Sequence, residues 1–420
     1  VVGLLAPGSA AAFRYRNFRL YWTAQLISLM GTFMQQVALG YLVYDLTGSK
    51  WLLGAISALT MGPSLLLSLP AGVIADRVPR RGLVLCTQST ALLLAFVLAT
   101  LTALHQLQVW EILVLSTFSG IAIAVESPAR QALVADLVGG ADLPNAIGWN
   151  SLVMNGSRVL GPAVGGVAIR YIGVAPIFYY NSLSFAAMIF ALSLMRLPSK
   201  TVAGRHPWRD FREGLEYLQR SRSIVLVLAL VAAVATFVMN FNVLMPVLAR
   251  DTLHTGPAGL GWLWTVMGLG AVAGSMTVVV WSRAAVAGPM FLLVALVASA
   301  STAALAVTSS LFAALGVLLV VGWSTGAFFA SANSAIQHRV TDRVRGRVLS
   351  VYSMIFAGTS PIGGLFVAAV ASAGGVSLAL AASGGISLAI GLTLAMPVLR
   401  ALEVPPLATG SVSVLDRPAS

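Results

Sequence analysis

Gly72-Val-Ile-Ala-Asp76-Arg77-Val-Pro79-Arg80-Arg81 is the stretch on which the reading of this chain turns. It separates two long apolar runs, 51–75 and 83–104. A helix of about 20 apolar residues, rising about 1.5 Å per residue, crosses the hydrocarbon core of a bilayer. Two such runs joined by a short, charged, turn-forming link therefore read as a membrane hairpin with a basic loop on one side.

Working outward, apolar runs of spanning length recur at 20–44, 51–75, 83–104, 109–127, 146–169, 174–195, 224–249, 259–281, 286–308, 311–333, 348–371 and 376–399. The chain is 58% hydrophobic and 9% charged. Soluble domains carry roughly 25% charged residues, so a water-soluble fold is excluded. Several runs exceed the minimum length and predict tilted helices.

The net charge of +12 raises the question of nucleic acid, and its placement answers it. With the N-terminus on the cytoplasmic side, Arg14, Arg16, Arg19, Arg77, Arg80, Arg81, Arg130, the arginines from Arg196 to Arg222, Arg283, those from Arg339 to Arg347, Arg400 and Arg417 fall inside. Lys50, Arg170 and Arg250 fall outside, and Arg158 lies within a span. This is the positive-inside bias; it predicts cytoplasmic termini and an even number of spans. The basic excess is thus a topology signal and predicts no nucleic-acid partner. One cysteine, Cys86, permits neither a disulfide within the chain nor a thiol metal site. The first run is too long for a signal peptide, lacks a small-residue cleavage site and carries Gln25, Gln35 and Gln36, so it is read as a retained span.

The sequence repeats across its middle. Gln131-Ala-Leu-Val134-Ala-Asp136 overlays Gln337-His-Arg-Val340-Thr-Asp342, Met61-Gly62 overlays Met267-Gly268, Asp45 falls on Asp251, and Arg77 on Arg283. Gly161-Pro162-Ala-Val-Gly165-Gly166 resembles Ser360-Pro361-Ile-Gly363-Gly364. A duplicated six-span unit follows, and transporters built this way place substrate between the repeats. The expected organisation is an N-terminal bundle over 1–196, a linker over 197–223, a C-terminal bundle over 224–400 and a tail over 401–420. In the linker, Trp208, Phe211, Leu215 and Leu218 recur at helical spacing between arginines, as in a helix lying on the membrane surface; a simple tether explains the segment equally well.

The hairpin link Gly72–Arg81 resembles the signature loop of the major facilitator superfamily, with Pro79 where that family has glycine. The resemblance implies twelve transmembrane helices in two pseudo-symmetric six-helix bundles, an all-α membrane protein. It also implies a conformational latch formed by Gly72, Asp76, Arg77 and Arg81, with Asp76 meeting the other half when the cytoplasmic side is shut. The second-half link keeps Arg283 but has Ser282 in place of an acid, so that latch is one-sided. Gly148, Ser157, Gly161-Pro162 and Gly165-Gly166 resemble the antiporter motif of proton-coupled exporters, Ser157 replacing one glycine. Small residues there let helices touch, and the proline bends the span. Asn17-Phe18-Arg19-Leu20, Glu126-Ser-Pro128-Ala-Arg130-Gln131, Leu143-Pro144-Asn145-Ala146 and Arg345-Gly346-Arg347 resemble the branch that exports drugs, macrolides and siderophores.

Candidate substrate contacts come from polar residues inside spans. Arg158 lies thirteen positions beyond Asn145, about 20 Å at helical rise and so near mid-bilayer. A charge at that depth costs at least about 2.5–3.5 kcal/mol and normally faces a cavity or a partner. Ser151, Asn155, Arg158 and Pro162 share a face. In the first span Gln25, Ser28, Thr32, Gln35 and Gln36 fall within an arc of about 100°, which reads as a cavity wall or as interhelical hydrogen bonding. The second half offers Asn242, the pseudo-equivalent of Gln36, with Asn240 nearby, and an aromatic set including Trp262, Trp264, Phe328, Phe329, Tyr352 and Phe356. A cavity polar on one wall and aromatic on the other suits an amphipathic solute.

For proton coupling the acids are few. Glu126 is the first candidate and Asp45 the second; for Glu126 a salt bridge to Arg130 or Arg77 is the equal alternative. Lys50 and Lys200 are the only lysines and neither completes a phosphate-binding loop. His105, His206, His254 and His338 are scattered, which predicts no metal and no cofactor. No catalytic cluster converges, so an enzyme is not expected. The resulting expectation is a monomeric secondary transporter of the bacterial inner membrane, exporting amphipathic small molecules by proton antiport and contacting substrate, protons and membrane lipids. An importer or lipid mover on the same scaffold is the rival, with a non-transporting receptor further behind.

Overall fold

The computed structural model describes residues 10–195, 216, 219, 221–280, 288–340 and 342–403. The linker residues Trp208, Phe211, Leu215 and Leu218, the second-half link with Arg283, and the tail from Val404 lie outside the described residues. So do the side chains of Asp76 and of 342–347.

The described regular structure is helical. In chain order the helices are α1 Arg16–Thr47, α2 Lys50–Arg77, α3 Arg80–Ala103, α4 Val109–Asp136, α5 Leu143–Ile172, α6 Ala175–Leu194, α7 Arg222–Phe237, α8 Phe241–Val247, α9 Gly256–Val280, α10 Gly288–Ala304, α11 Leu311–Arg339 and α12 Asp342–Glu403. Eleven helical ranges are long and apolar enough to cross a membrane, the last being Val351–Leu402. That range folds back at Gly374 and Gly375, where Gly375 takes φ 85°, a conformation glycine adopts without steric cost. Its two limbs correspond to the predicted spans 348–371 and 376–399, which brings the helical segments of spanning length among the described residues to twelve.

Local chemistry sets the ends. Val78 is extended, as a residue preceding proline must be, and α2 stops at Arg77. Gly48, at φ 61°, closes α1 and its N–H bonds the Tyr44 carbonyl. Ser49 caps α2 through Leu52 N at 3.3 Å. Gln108 and Glu111 form a capping box on α4; Glu111 therefore serves the helix end.

Two predicted spans differ from the structure. The fourth does not end at 127 but continues as helix to Asp136. The seventh is not continuous: α7 stops at Phe237, α8 starts at Phe241, and one π turn, Leu248–Thr252, completes the crossing. Asn240 sits in the break, its Nδ2 donating to the Thr236 carbonyl at 2.5 Å.

α1–α6 pack as one bundle and α7–α12 as the other; the bundles meet through α2 against the first limb of α12 and through α5 against α9. The second contact is made by backbone. A methyl group at Gly166 would run into the Gly261 Cα, so α5 and α9 cross there with nothing between them. Such close approach is the usual role of small residues between membrane helices. Gly161 and Gly165 do the same against α1, a Cβ on Gly161 meeting Phe33 Cβ at 2.6 Å and one on Gly165 meeting Met34 Cα at 3.1 Å.

Candidate transport site

The two halves touch at one end and splay at the other. At the end away from the arginine-rich links, ion pairs and hydrogen bonds join the first half to the second, and Arg250 also lies over the Tyr44 ring at 5.5 Å. Arg250 pairs with Asp45 at 3.2 Å and Lys50 with Asp251 at 3.5 Å. Tyr44 donates its hydroxyl proton to Asp251 at 2.6 Å, and Arg250 donates to the Tyr44 carbonyl at 3.0 Å. Asp45 and Asp251 are the pseudo-equivalent acids of the repeat; the internal twofold brings them to one place, each paired with a base of the opposite half. Gly40 packs against Pro246 of α8 just below.

The close packing of α5 on α9 continues to Val159, whose Cα lies 3.1 Å from a Cβ placed on Gly268; beyond it a cavity of about 910 Å³ opens toward the arginine-rich face. Ser151 and Asn155 line it from α5, Ser275, Val278 and Val279 from α9, and Ala330, Asn333, Ser334, Gln337 and His338 from α11. Hydroxyl, amide and imidazole groups can donate or accept hydrogen bonds, and no carboxylate is among them.

Arg158 is exposed and lies one helical turn above Asn155 on the same face. In the part of α5 beyond Arg158, the exposed apolar residues Leu160, Val164 and Val167 lie on the opposite side of the helix, toward lipid. Its guanidinium sits 5.9 Å from the centre of the Phe33 ring of α1, within cation–π range. Among the described residues no acid pairs with it.

The polar stripe of α1 divides. Gln25 and Ser28 are buried, 0% and 1% exposed, so they do not line the open cavity. Gln35 accepts from Asn181 Nδ2 of α6 at 2.8 Å, and Thr32 donates to the Ser28 carbonyl at 2.9 Å. Gln36 is half-buried and lies one turn before Gly40, on the row that reaches α8. Asn240 is buried in the seventh-crossing break and Asn242 is half-buried beside it, its carbonyl 3.8 Å from a Cβ placed on Gly40. The structure thus places Asn242 against Gly40, one turn from Gln36, and keeps Gln25 and Ser28 buried among helices.

Glu126 is interior to the first half, 7% exposed. Arg130 binds its Oε1 through both Nε, at 2.6 Å, and a terminal nitrogen. Thr87 Oγ1 donates to Oε2 at 3.0 Å, and Gln88 Nε2 reaches both oxygens at 2.8 and 2.9 Å. Tyr21, fully buried, interacts with the same pair. This set of donors suits an ionised carboxylate and explains why α4 continues past residue 127: the charges that end the apolar run neutralise one another.

At the splayed face the signature loop is open. Arg80 pairs with Asp136 at 2.7 Å, and Arg81 donates to the carbonyls of Leu192 and Ser193 at 2.8 and 2.9 Å, tying the loop to the end of α6. Arg77 is exposed. A Cβ on Gly72, or on Gly148 at the cavity mouth, would meet nothing within 4 Å.

Asp45 stands among the proton-coupling candidates of the sequence, but its partner Arg250 and the Glu126 donors Thr87 and Gln88 do not. A signal existed for each: Thr87-Gln88 interrupts an apolar run, and the repeat had already superposed Asp45 on Asp251.

Two six-helix halves, sealed together at one face and enclosing a polar cavity at the other, define a multi-pass membrane transporter of the major facilitator type. Residues 7–413 match the family described as transmembrane secretion effector, and the chain belongs to that family. It is 23% identical over 367 residues to the staphyloferrin A transporter of Staphylococcus aureus, covering 85% of this chain and 90% of that protein. It is 28% identical over 261 residues to the enterobactin exporter EntS of Shigella boydii, covering 62% of each chain. The match thus spans less than two thirds of the exporter's length. Among solved structures, a POT family transporter in complex with a thioalcohol-conjugated peptide superposes with TM-score 0.74 at 11% identity, over 92% of this chain and 96% of that one. A bacterial homologue of the human lysosomal transporter Spinster, solved inward-facing and unoccupied, gives 0.68 at 15%, with the same coverage. At these identities the structures share the fold. Transporters of this kind are not enzymes.

Proposed function

We propose that this protein is a secondary active transporter of the bacterial inner membrane that exports amphipathic, siderophore-like small molecules by proton antiport through alternating access. The observation that carries this reading is the polar cavity between α5, α9 and α11, open at the arginine-rich face beneath a sealed opposite face. With the basic links cytoplasmic, a solute enters from the cytoplasm, and breaking the Asp45–Arg250 and Lys50–Asp251 pairs opens the way out. Arg158 and Asn155 contact the solute from α5, with Gln36, Thr32 and Asn242 above them. Gln25, Ser28 and Asn240 support these helices from inside, so their part in binding is indirect. The loop Gly72–Arg81, with Arg130 behind it, closes the cytoplasmic face in the other state, and Gly161, Pro162, Gly165 and Gly166 are the packing surface on which α5 moves; Gly148 has no neighbour to pack against in this state.

The similarity to siderophore transporters supports the solute class, and the absence of a phosphate-binding loop supports an ion gradient as the energy source. Glu126 and Asp45 are the acids to test for coupling. The assay is uptake of a fluorescent amphipathic solute into inside-out vesicles with an imposed proton gradient. Accumulation that collapses with an uncoupler is expected. Accumulation indifferent to the gradient would refute antiport, and accumulation only in right-side-out vesicles would make the protein an importer.

A further inference from the structure

We infer that the cavity contains an oxyanion subsite centred on Arg158, and that the solute carries a carboxylate or comparable anionic group which docks there. This deepens, and rests on, the reading of the cavity as the transport site. Arg158 is near mid-bilayer, where an uncompensated cation is costly, yet the described residues give it no acid. Phe33 holds the guanidinium by its ring face, which orients the cation without neutralising it. The side chain stands opposite the lipid-facing stripe Leu160, Val164 and Val167, so it points into the space between the halves.

The acids of the interior are engaged elsewhere. Glu126 is held by Arg130, and Asp45 and Asp251 are in the cross-half pairs at the sealed face. The cavity wall itself offers Ser151, Asn155, Asn333, Gln337 and His338, and no carboxylate. A cationic solute would meet a lone arginine with nothing to offset the repulsion. An oxyanion would complete the arginine bidentately, with Asn155 one turn away as a further donor. The apolar remainder of such a solute fits the Phe33 side. A soluble organic anion and an anionic lipid headgroup share this chemistry.

The test uses the full chain in phosphatidylcholine nanodiscs and two fluorescent probes of nearly equal shape, dansylglycine and dansylglycinamide, read by anisotropy. The acid is expected to bind at least about tenfold more tightly than the amide, the scale of a charged hydrogen bond. Arg158→Gln should weaken the acid at least about tenfold more than the amide and so remove that difference, and Arg158→Lys should keep most of it. Raising the salt concentration should weaken the acid and not the amide, and this series on the wild type decides the matter if the Gln variant does not fold. Equal binding of the two probes, no binding of either, or equal weakening of both by Arg158→Gln overturns the subsite. Displacement of the acid by added phosphatidylglycerol marks a lipid headgroup as its natural occupant, and resistance to displacement marks a soluble anion; both support the subsite. Selective binding without vectorial transport of either probe in proteoliposomes leaves the subsite standing and removes the export reading.

Discussion

Neutralising Asp251 should open the sealed face. Asp251 accepts from the Tyr44 hydroxyl at 2.6 Å and pairs with Lys50 at 3.5 Å. The Lys50 and Asp251 side chains are 21% and 37% exposed, and those of Arg250 and Asp45 50% and 51%. Solvent screening at such exposure leaves each ion pair about 0.2–1 kcal/mol. A hydrogen bond to a charged acceptor contributes about 1.5–3 kcal/mol, against roughly 1 for a neutral one. Asp251→Asn keeps the shape, removes the pair and converts the Tyr44 contact to a neutral one, for a net loss of about 1–2 kcal/mol from the sealed state. At 1.4 kcal/mol per tenfold this shifts the equilibrium by roughly 5- to 30-fold. Spin labels at Leu46 and Ala258, on opposite halves at this face, in a Cys86→Ser background, report the separation by pulsed electron resonance. A growing long-distance population in the Asn variant is expected, with a smaller shift for Asp45→Asn, whose pair is more exposed. An unchanged distribution in both variants would show that the α5–α9 and α1–α8 contacts hold this face by themselves.

Gly166→Val should abolish transport, since its side chain would occupy the space of the Gly261 backbone, whereas Gly148→Ala should transport normally and change stability by no more than about 0.5 kcal/mol; equal transport in the two would refute the packing role given to Gly166. Glu126→Gln should lower thermal stability by about 3–5 kcal/mol, the cost of leaving a mostly buried partner, here Arg130, without its counter-charge, and gradient-driven transport by the folded fraction would assign coupling to another acid. Asp76→Asn should slow maximal turnover more than it weakens solute affinity; a pure affinity loss would contradict a latch.

Most of the fold was legible because a bilayer imposes composition over long windows. Span ends fell within a few residues wherever a turn residue closed the run, as at Gly48, Pro79 and Gly173. The failures have tertiary causes. Nothing in the apolar run 224–249 breaks the helix before Pro246. The break at Asn240 arises where its amide turns back to Thr236 and where Gly363 of α12 packs against the same turn. The fourth span looked short because composition counts Glu126 and Arg130 as two charges. In the folded chain they form one neutral pair at i, i+4 spacing, so the helix runs on past them.

The site was legible to a different degree, set by what periodicity can express. Helical spacing puts Ser151, Asn155 and Arg158 on one face of α5; Ser151 and Asn155 line the cavity, and Arg158 lies one turn beyond them. The same spacing grouped Gln25, Ser28, Thr32, Gln35 and Gln36, but a shared face does not name the neighbour that covers it. α6 brings Asn181 to Gln35 and presses Asn181 and Ser184 close to Gly31, so this side of the stripe is spent on helix packing. Gln36 lies one turn before Gly40, on the row that reaches α8, and has no such partner among the described residues of α6. Depth and charge count discriminate better than polarity here. An amide can be satisfied by any adjacent helix, as Gln35 is, and so is weak evidence for a binding wall. A guanidinium at mid-bilayer without an acid can be satisfied by few things other than water or an anion, and for that reason Arg158 carries more of the functional argument than the five-residue stripe.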